Sequence, residues 1–175
     1  MNVLKSALLT TALIAAGVSP AFAADTTTFN VKIIILKACT ITAAAATDVD
    51  FGSVASTSTA NTDAQGSVTA NCTPLTPYSI SLNAGVNAGT ANDVTTRRMK
   101  NIDAAVLTNN FVAYQLYRDA GRSLVWGNTT GTNTLAGTGT GLNQPYPVYG
   151  RVANPSTNNA AAGSYLDTVT ATITY

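Results

Sequence analysis

The amino-acid sequence predicts an all-β fold, a sandwich or barrel of short strands. Three observations carry this. No stretch has the period of a long amphipathic helix. Short runs of alternating apolar and polar residues recur, separated by Gly, Asn, Pro and Ser, which is the spacing of packed sheets. The last eight residues, Thr168-Val169-Thr170-Ala171-Thr172-Ile173-Thr174-Tyr175, alternate to the end, the period-two mark of a half-buried strand.

Taken in order, residues 1–23 read as a secretory signal. Lys5 gives the positive start, Ala7 to Val18 the apolar stretch, and Ala21-Phe22-Ala23 a small-x-small cleavage site. The apolar stretch is too short to span a bilayer. Cleavage before Ala24 leaves 152 of the 175 residues, enough for one domain with a core. Residues 24–36 are an N-terminal extension, with Phe29, Val31, Ile33 and Ile35 in one phase, and residues 37–175 are the domain.

The first predicted strand runs from Phe29 to Leu36 and on through Cys39 to Thr42. Gly66 to Cys72 follows, with Val68, Ala70 and Cys72 on one face. Pro74 and Pro77 mark a turn into Tyr78 to Leu82, where Tyr78, Ile80 and Leu82 share a face. Phe111 to Arg118 is rich in aromatic and β-forming residues, with Leu124 to Gly127 a candidate hairpin partner across Asp119-Ala120-Gly121. Val148 to Ala153 and Tyr165 to Tyr175 complete the set. Asn83 to Asn92, Thr129 to Gly141 and Asn154 to Gly163 read as loops. Exposed strand edges are normally blunted because they pair with other chains. A bare strand at the C-terminus and an apolar strand near the mature N-terminus make such pairing the expected function.

Composition narrows the chemistry. Without Lys5, eight Lys and Arg balance eight Asp, and the sequence holds no Glu and no His. A neutral chain argues against nucleic acid or an anionic membrane as partner. Cys39 and Cys72 are the only cysteines, and an exported chain pairs them. Closing a loop of about 33 residues contributes roughly 3–4 kcal/mol in the chain-entropy account. A metal site or reactive thiol is the alternative, and it lacks a histidine or further cysteines to complete it.

Catalysis at neutral pH asks for a tunable acid or base, which this composition hardly supplies. Asp48 and Asp50 can share a strand face, but without further ligands they read as loop carboxylates. Gly137-Thr138-Gly139-Thr140-Gly141 lacks the lysine and following helix of a phosphate cradle and reads as a flexible loop. Arg97-Arg98-Met99-Lys100 reads as a solvated turn. Tyr114, Tyr117, Trp126, Tyr146 and Tyr149 suit either core packing or a sugar platform. No catalytic residue, cofactor or metal ligand is assigned.

Several segments together resemble the spore coat protein U domain family, which includes subunits of archaic, Csu-type chaperone–usher pili. They are Thr28-Phe29-Asn30-Val31-Lys32-Ile33 leading to Cys39-Thr40-Ile41, then Asp50-Phe51-Gly52 and Gly66-Ser67-Val68-Thr69-Ala70-Asn71-Cys72. Tyr114-Gln115-Leu116-Tyr117-Arg118-Asp119, Tyr149-Gly150-Arg151-Val152 and Gly163-Ser164-Tyr165-Leu166-Asp167 through Tyr175 complete the series. The resemblance implies an immunoglobulin-like sandwich lacking one strand. A periplasmic chaperone fills the gap first. At the outer-membrane usher, the N-terminal extension of another copy or a related subunit replaces it. On this reading Phe29, Val31, Ile33 and Ile35 are the donor strand, and Tyr165, Val169, Ala171, Ile173 and Tyr175 meet the incoming strand. The product is a surface pilus supporting attachment and biofilm formation, with no membrane insertion. A secreted self-assembling coat protein and a carbohydrate-binding sandwich module are the alternatives.

Overall fold

Val68, Ala70 and Cys72 are buried while the residues between them stay half-exposed, and Tyr78, Ile80 and Leu82 repeat the pattern. The alternation in the sequence is therefore that of sheets with one face in a core. The computed structural model describes residues 24–43 and 48–175; the secretory signal read at 1–23 lies outside them. Ten strands form among the described residues: β1 (Cys39–Thr42), β2 (Thr62–Cys72), β3 (Pro77–Leu82), β4 (Arg98–Asn101), β5 (Phe111–Ala113), β6 (Gln115–Tyr117), β7 (Leu135–Thr138), β8 (Gln144–Val152), β9 (Tyr165–Leu166) and β10 (Ala171–Thr174).

One layer has the order β1-β2-β8-β6, all antiparallel. The facing layer comprises β10-β3-β7 and β5-β4-β9. These two pieces share the C-terminal segment. Its β10 end pairs with β3, and Asn83 and Val86 donate to the Thr170 and Thr168 carbonyls. Its β9 end pairs with β4, and Ile102 donates to the Ser164 carbonyl. Residues 87–99 are an excursion between these two pairings. One edge of residues 164–174 is thus hydrogen-bonded, and no described residue pairs with the other.

Side chains of both layers meet in one cluster, with Val68, Cys72, Leu116, Val148 and Val152 facing Tyr78, Ile80 and Leu82. Trp126 is wholly buried there, and its indole Nε1–H donates to the Ile80 carbonyl at 3.0 Å. Its segment also stitches the layers together on one side. Trp126 N–H donates to the Leu116 carbonyl at 2.9 Å, and Leu82 N–H donates to the Gly127 carbonyl at 3.0 Å.

The structure corrects several expectations. The first strand begins at Cys39, not Phe29, because residues 24–38 join no ladder. The aromatic strand divides at Tyr114: Phe111–Ala113 pairs in one layer and Gln115–Tyr117 in the other, so the chain changes sheets there. Leu124 to Gly127 does pair back across the 119–121 turn, but briefly, through one antiparallel bridge between Val125 and Tyr117 flanked by Arg118 N–H to the Leu124 carbonyl and Trp126 N–H to the Leu116 carbonyl. The stretch 129–141 contains β7, and Gly137 and Gly139 are packed rather than loose. A side chain at Gly137 would strike the Tyr78 ring, and one at Gly139 would strike the Thr73 carbonyl. Arg97 is 1 % exposed, not solvated.

Candidate functional site: an open groove between the layers

On the side opposite the Trp126 stitch, the sandwich stays open. β1 pairs only with β2 and β10 only with β3, so both strands that flank this side have a free edge. Between the layers runs a groove of about 1080 Å³. Val68, Leu116, Val148 and Val152 line it from one layer, and Leu82, Met99, Val112, Val169 and Ala171 from the other. Ile41 stands at the β1 rim. The lining follows the C-terminal segment from Ala171 back to Gly163, where Ala160, Ala161 and Ala162 bound the groove. An apolar trough flanked by two unpaired strand edges suits an extended peptide better than a compact ligand.

The groove wall rests on a buried polar hub. Arg97 donates to the carbonyls of Leu82 at 3.1 Å and Asn83 at 2.6 Å, and to Gln115 Oε1 at 2.7 Å. It thereby ties the end of β3 to β6 in the other layer. Burial brings its guanidinium down to about 10, against the nearby charge of Asp167. Tyr114 O–H donates to Asp167 Oδ2 at 2.6 Å, while Asp167 Oδ1 accepts from the Asn87 backbone N–H at 3.0 Å. Burial and that hydrogen bond push the Tyr114 phenol upward, so it remains a neutral donor. Gly85, at φ +82°, leaves the space that the Asp167 carboxylate fills.

Of the residues read as meeting an incoming strand, Tyr165, Val169 and Ala171 line the groove. Ile173 lies on the same face and packs against the core cluster, while Tyr175 is more than half exposed. Phe29, Val31, Ile33 and Ile35 are 84, 88, 84 and 77 % exposed. Cys39 and Cys72 are bonded, directly opposite each other across β1 and β2. Replacing both by serine is expected to cost about 2–5 kcal/mol, read as a lowered urea midpoint.

Sequence reasoning missed Ile41, Met99 and the Arg97–Tyr114–Asp167 hub. Phe51 stood in a quoted motif without a role. It packs against Gly150 and lies 6.5 Å from the Tyr114 ring, lining the groove. Asp50 Oδ1 accepts from the Gly52 N–H at 2.8 Å in a tight turn, and no metal-binding cluster occurs among the described residues. The aromatic set is dispersed: Trp126 and Tyr114 are buried, Tyr78 and Tyr146 share a hydroxyl hydrogen bond of 2.6 Å, and Tyr117 and Tyr149 pair across β6 and β8.

Fold and groove together define an incomplete β-sandwich with an unpaired apolar extension. The chain belongs to the spore coat protein U domain family, whose sequence model matches residues 25–172. It is 37 % identical over 186 aligned positions, covering all of both chains, to "Protein U" of Myxococcus xanthus. It is also similar to a solved chaperone–tip adhesion subunit pre-assembly complex, CsuC–CsuE, from the archaic chaperone–usher Csu pili of Acinetobacter baumannii. The TM-score is 0.55 at 24 % identity, over 81 % of this chain and 40 % of that one, a likeness of fold.

Proposed function

We propose that this chain is a non-catalytic structural subunit, exported through the periplasm and assembled into a surface pilus by exchange of strands between copies. The open groove carries this reading. A periplasmic chaperone would cover it first, and at the outer-membrane usher the extension of a second copy would replace that cover. Burying Phe29, Val31, Ile33 and Ile35 contributes on the order of 6–12 kcal/mol before ordering costs, and main-chain bonds to the free edges add to it. Such fibres would support attachment and biofilm formation. The full-length likeness to Protein U, in a family named for a spore coat, favours a self-assembling coat as the second reading, with the same strand exchange. The dispersal of the aromatic side chains weighs against a sugar platform.

The test is co-expression with the candidate chaperone. The wild-type chain should be degraded or aggregate alone and form a soluble pair with the chaperone. Val169→Asp puts an unpaired charge into the groove and should abolish the pair, because burying one is very costly. Thr172→Asp, on the exposed face, should retain it. A wild-type chain that is stable alone and binds no chaperone would contradict the reading.

A further inference from the structure

The apolar row of the extension is followed by a cation in the same phase. Phe29, Val31, Ile33 and Ile35 recur every second residue, and the next residue of that phase is Lys37. Side chains of an extended strand alternate between faces, so a strand that turns those four toward a core turns Lys37 the same way. Lys32 falls in the opposite phase. Within its own chain Lys37 is exposed and forms no salt bridge among the described residues.

The groove carries a matching anion. Asp167 lines it in the same row as Tyr165, Val169 and Ala171, and is the one charged residue of that row. Its Oδ1 accepts from the Asn87 backbone N–H at 3.0 Å and from Asn87 Nδ2 at 3.1 Å. Its Oδ2 accepts from Tyr114 O–H, which leaves that oxygen room for a further donor. Arg97 is close by, but it directs its donors to Leu82, Asn83 and Gln115. Asp167 is therefore a half-buried carboxylate with no salt bridge among the described residues. Asp48 and Asp50 also line the groove, and Phe51 beside them lies 6.5 Å from the Tyr114 ring, so this mouth of the groove is acidic.

We propose that Lys37 of one copy forms an ion pair with Asp167 of the copy that receives its extension. It rests on the donor–acceptor reading above. Every ladder among the described residues is antiparallel. A strand that keeps this sense beside the C-terminal segment gives all four apolar residues an apolar partner in one pairing only. Ile35 then faces Val169, Ile33 faces Ala171, Val31 faces Ile173 and Phe29 faces Tyr175. The next pair in the row is Lys37 with Asp167. Directly opposed side chains in a ladder stand about 4.5–5.5 Å apart at Cβ, within reach of a lysine. The ammonium supplies the donor that Asp167 Oδ2 has room for and ties the incoming chain to the Tyr114–Asp167 bond. A shift of two residues sets either Ile35 against the carboxylate or Lys37 against Val169, and an unpaired charge in an apolar groove is costly.

Fibres of the full mature chain test this. They are treated with a water-soluble carbodiimide, which joins an amine and a carboxylate in contact through an amide, then boiled in detergent and mapped by mass spectrometry. Lys37 and Asp167 of one chain lie at opposite ends of the sandwich. Ala38 N–H bonds to Thr73 before β3 begins, and Asp167 bonds to Asn87 after β3 ends. An amide between them therefore joins two copies, and wild-type fibres should yield the peptide linking Lys37 to Asp167. Lys37→Arg should keep the fibre stable but lose that peptide, because a guanidinium does not form the amide. Lys37→Met should lose the peptide and release subunits in urea roughly 5–30-fold faster, since Asp167 loses its cation. Lys32→Arg should change neither readout. Lys37→Met fibres that release subunits at the wild-type rate overturn the proposal alone, as does Lys37 coupled to Asp48, to Asp50 or to no carboxylate in intact fibres. Wild-type chain that forms no heat-labile ladder overturns the donor–acceptor reading beneath it.

Discussion

Arg97→Leu is expected to cost about 3–5 kcal/mol and leave the subunit unfolded or close to it. The side chain is 1 % exposed and supplies donors to two main-chain carbonyls and to Gln115. Leucine supplies none. Each buried acceptor left without a partner costs about 1–3 kcal/mol, and the Asp167 carboxylate loses its nearby cation. Against a total stability of about 5–15 kcal/mol, that is decisive. Arg97→Lys should recover only part of the loss, because an ammonium does not reproduce the planar fork that reaches Leu82, Asn83 and Gln115 together. Urea midpoints of chaperone-released or refolded subunit check both variants. A midpoint unchanged in Arg97→Leu would show that the hub does not hold the layers together.

Why Arg97 was invisible in the sequence is instructive. It sits in a basic cluster, and charged clusters usually mark solvated turns. Its partners are main-chain carbonyls and a glutamine distant in sequence, which leave no local pattern. The alternating strands were legible because a sheet with one buried face imposes a period of two, as at Val68, Ala70 and Cys72. The disulfide was legible because an exported chain with two cysteines has one pairing available. The division at Tyr114 was not, since a continuous run of β-formers does not say which sheet each half joins. β7 hid among Gly and Thr for a related reason. Gly137 and Gly139 are set by the close approach of Tyr78 and Thr73, and composition alone reads them as flexibility. The groove was half legible: the alternating C-terminus marked one rim, while Ile41, Met99 and Phe51 come together only in the folded chain.

The extension is where the account is most exposed to test. Deleting residues 26–34 removes Phe29, Val31 and Ile33, all more than four-fifths exposed, from a segment in no ladder. A donor strand can be removed without touching the core of its own subunit, so the chaperone-bound form should persist at normal yield while polymerisation stops. A native first strand behaves differently. Losing several large core side chains costs about 2–5 kcal/mol each, enough to unfold the domain before a chaperone could hold it. The deciding measurement is the yield of soluble chaperone–subunit complex from the deleted chain, alongside the fibre ladder on unheated gels. Normal complex with no ladder is the predicted result. Loss of the complex, or a ladder that survives the deletion, would contradict strand donation between copies.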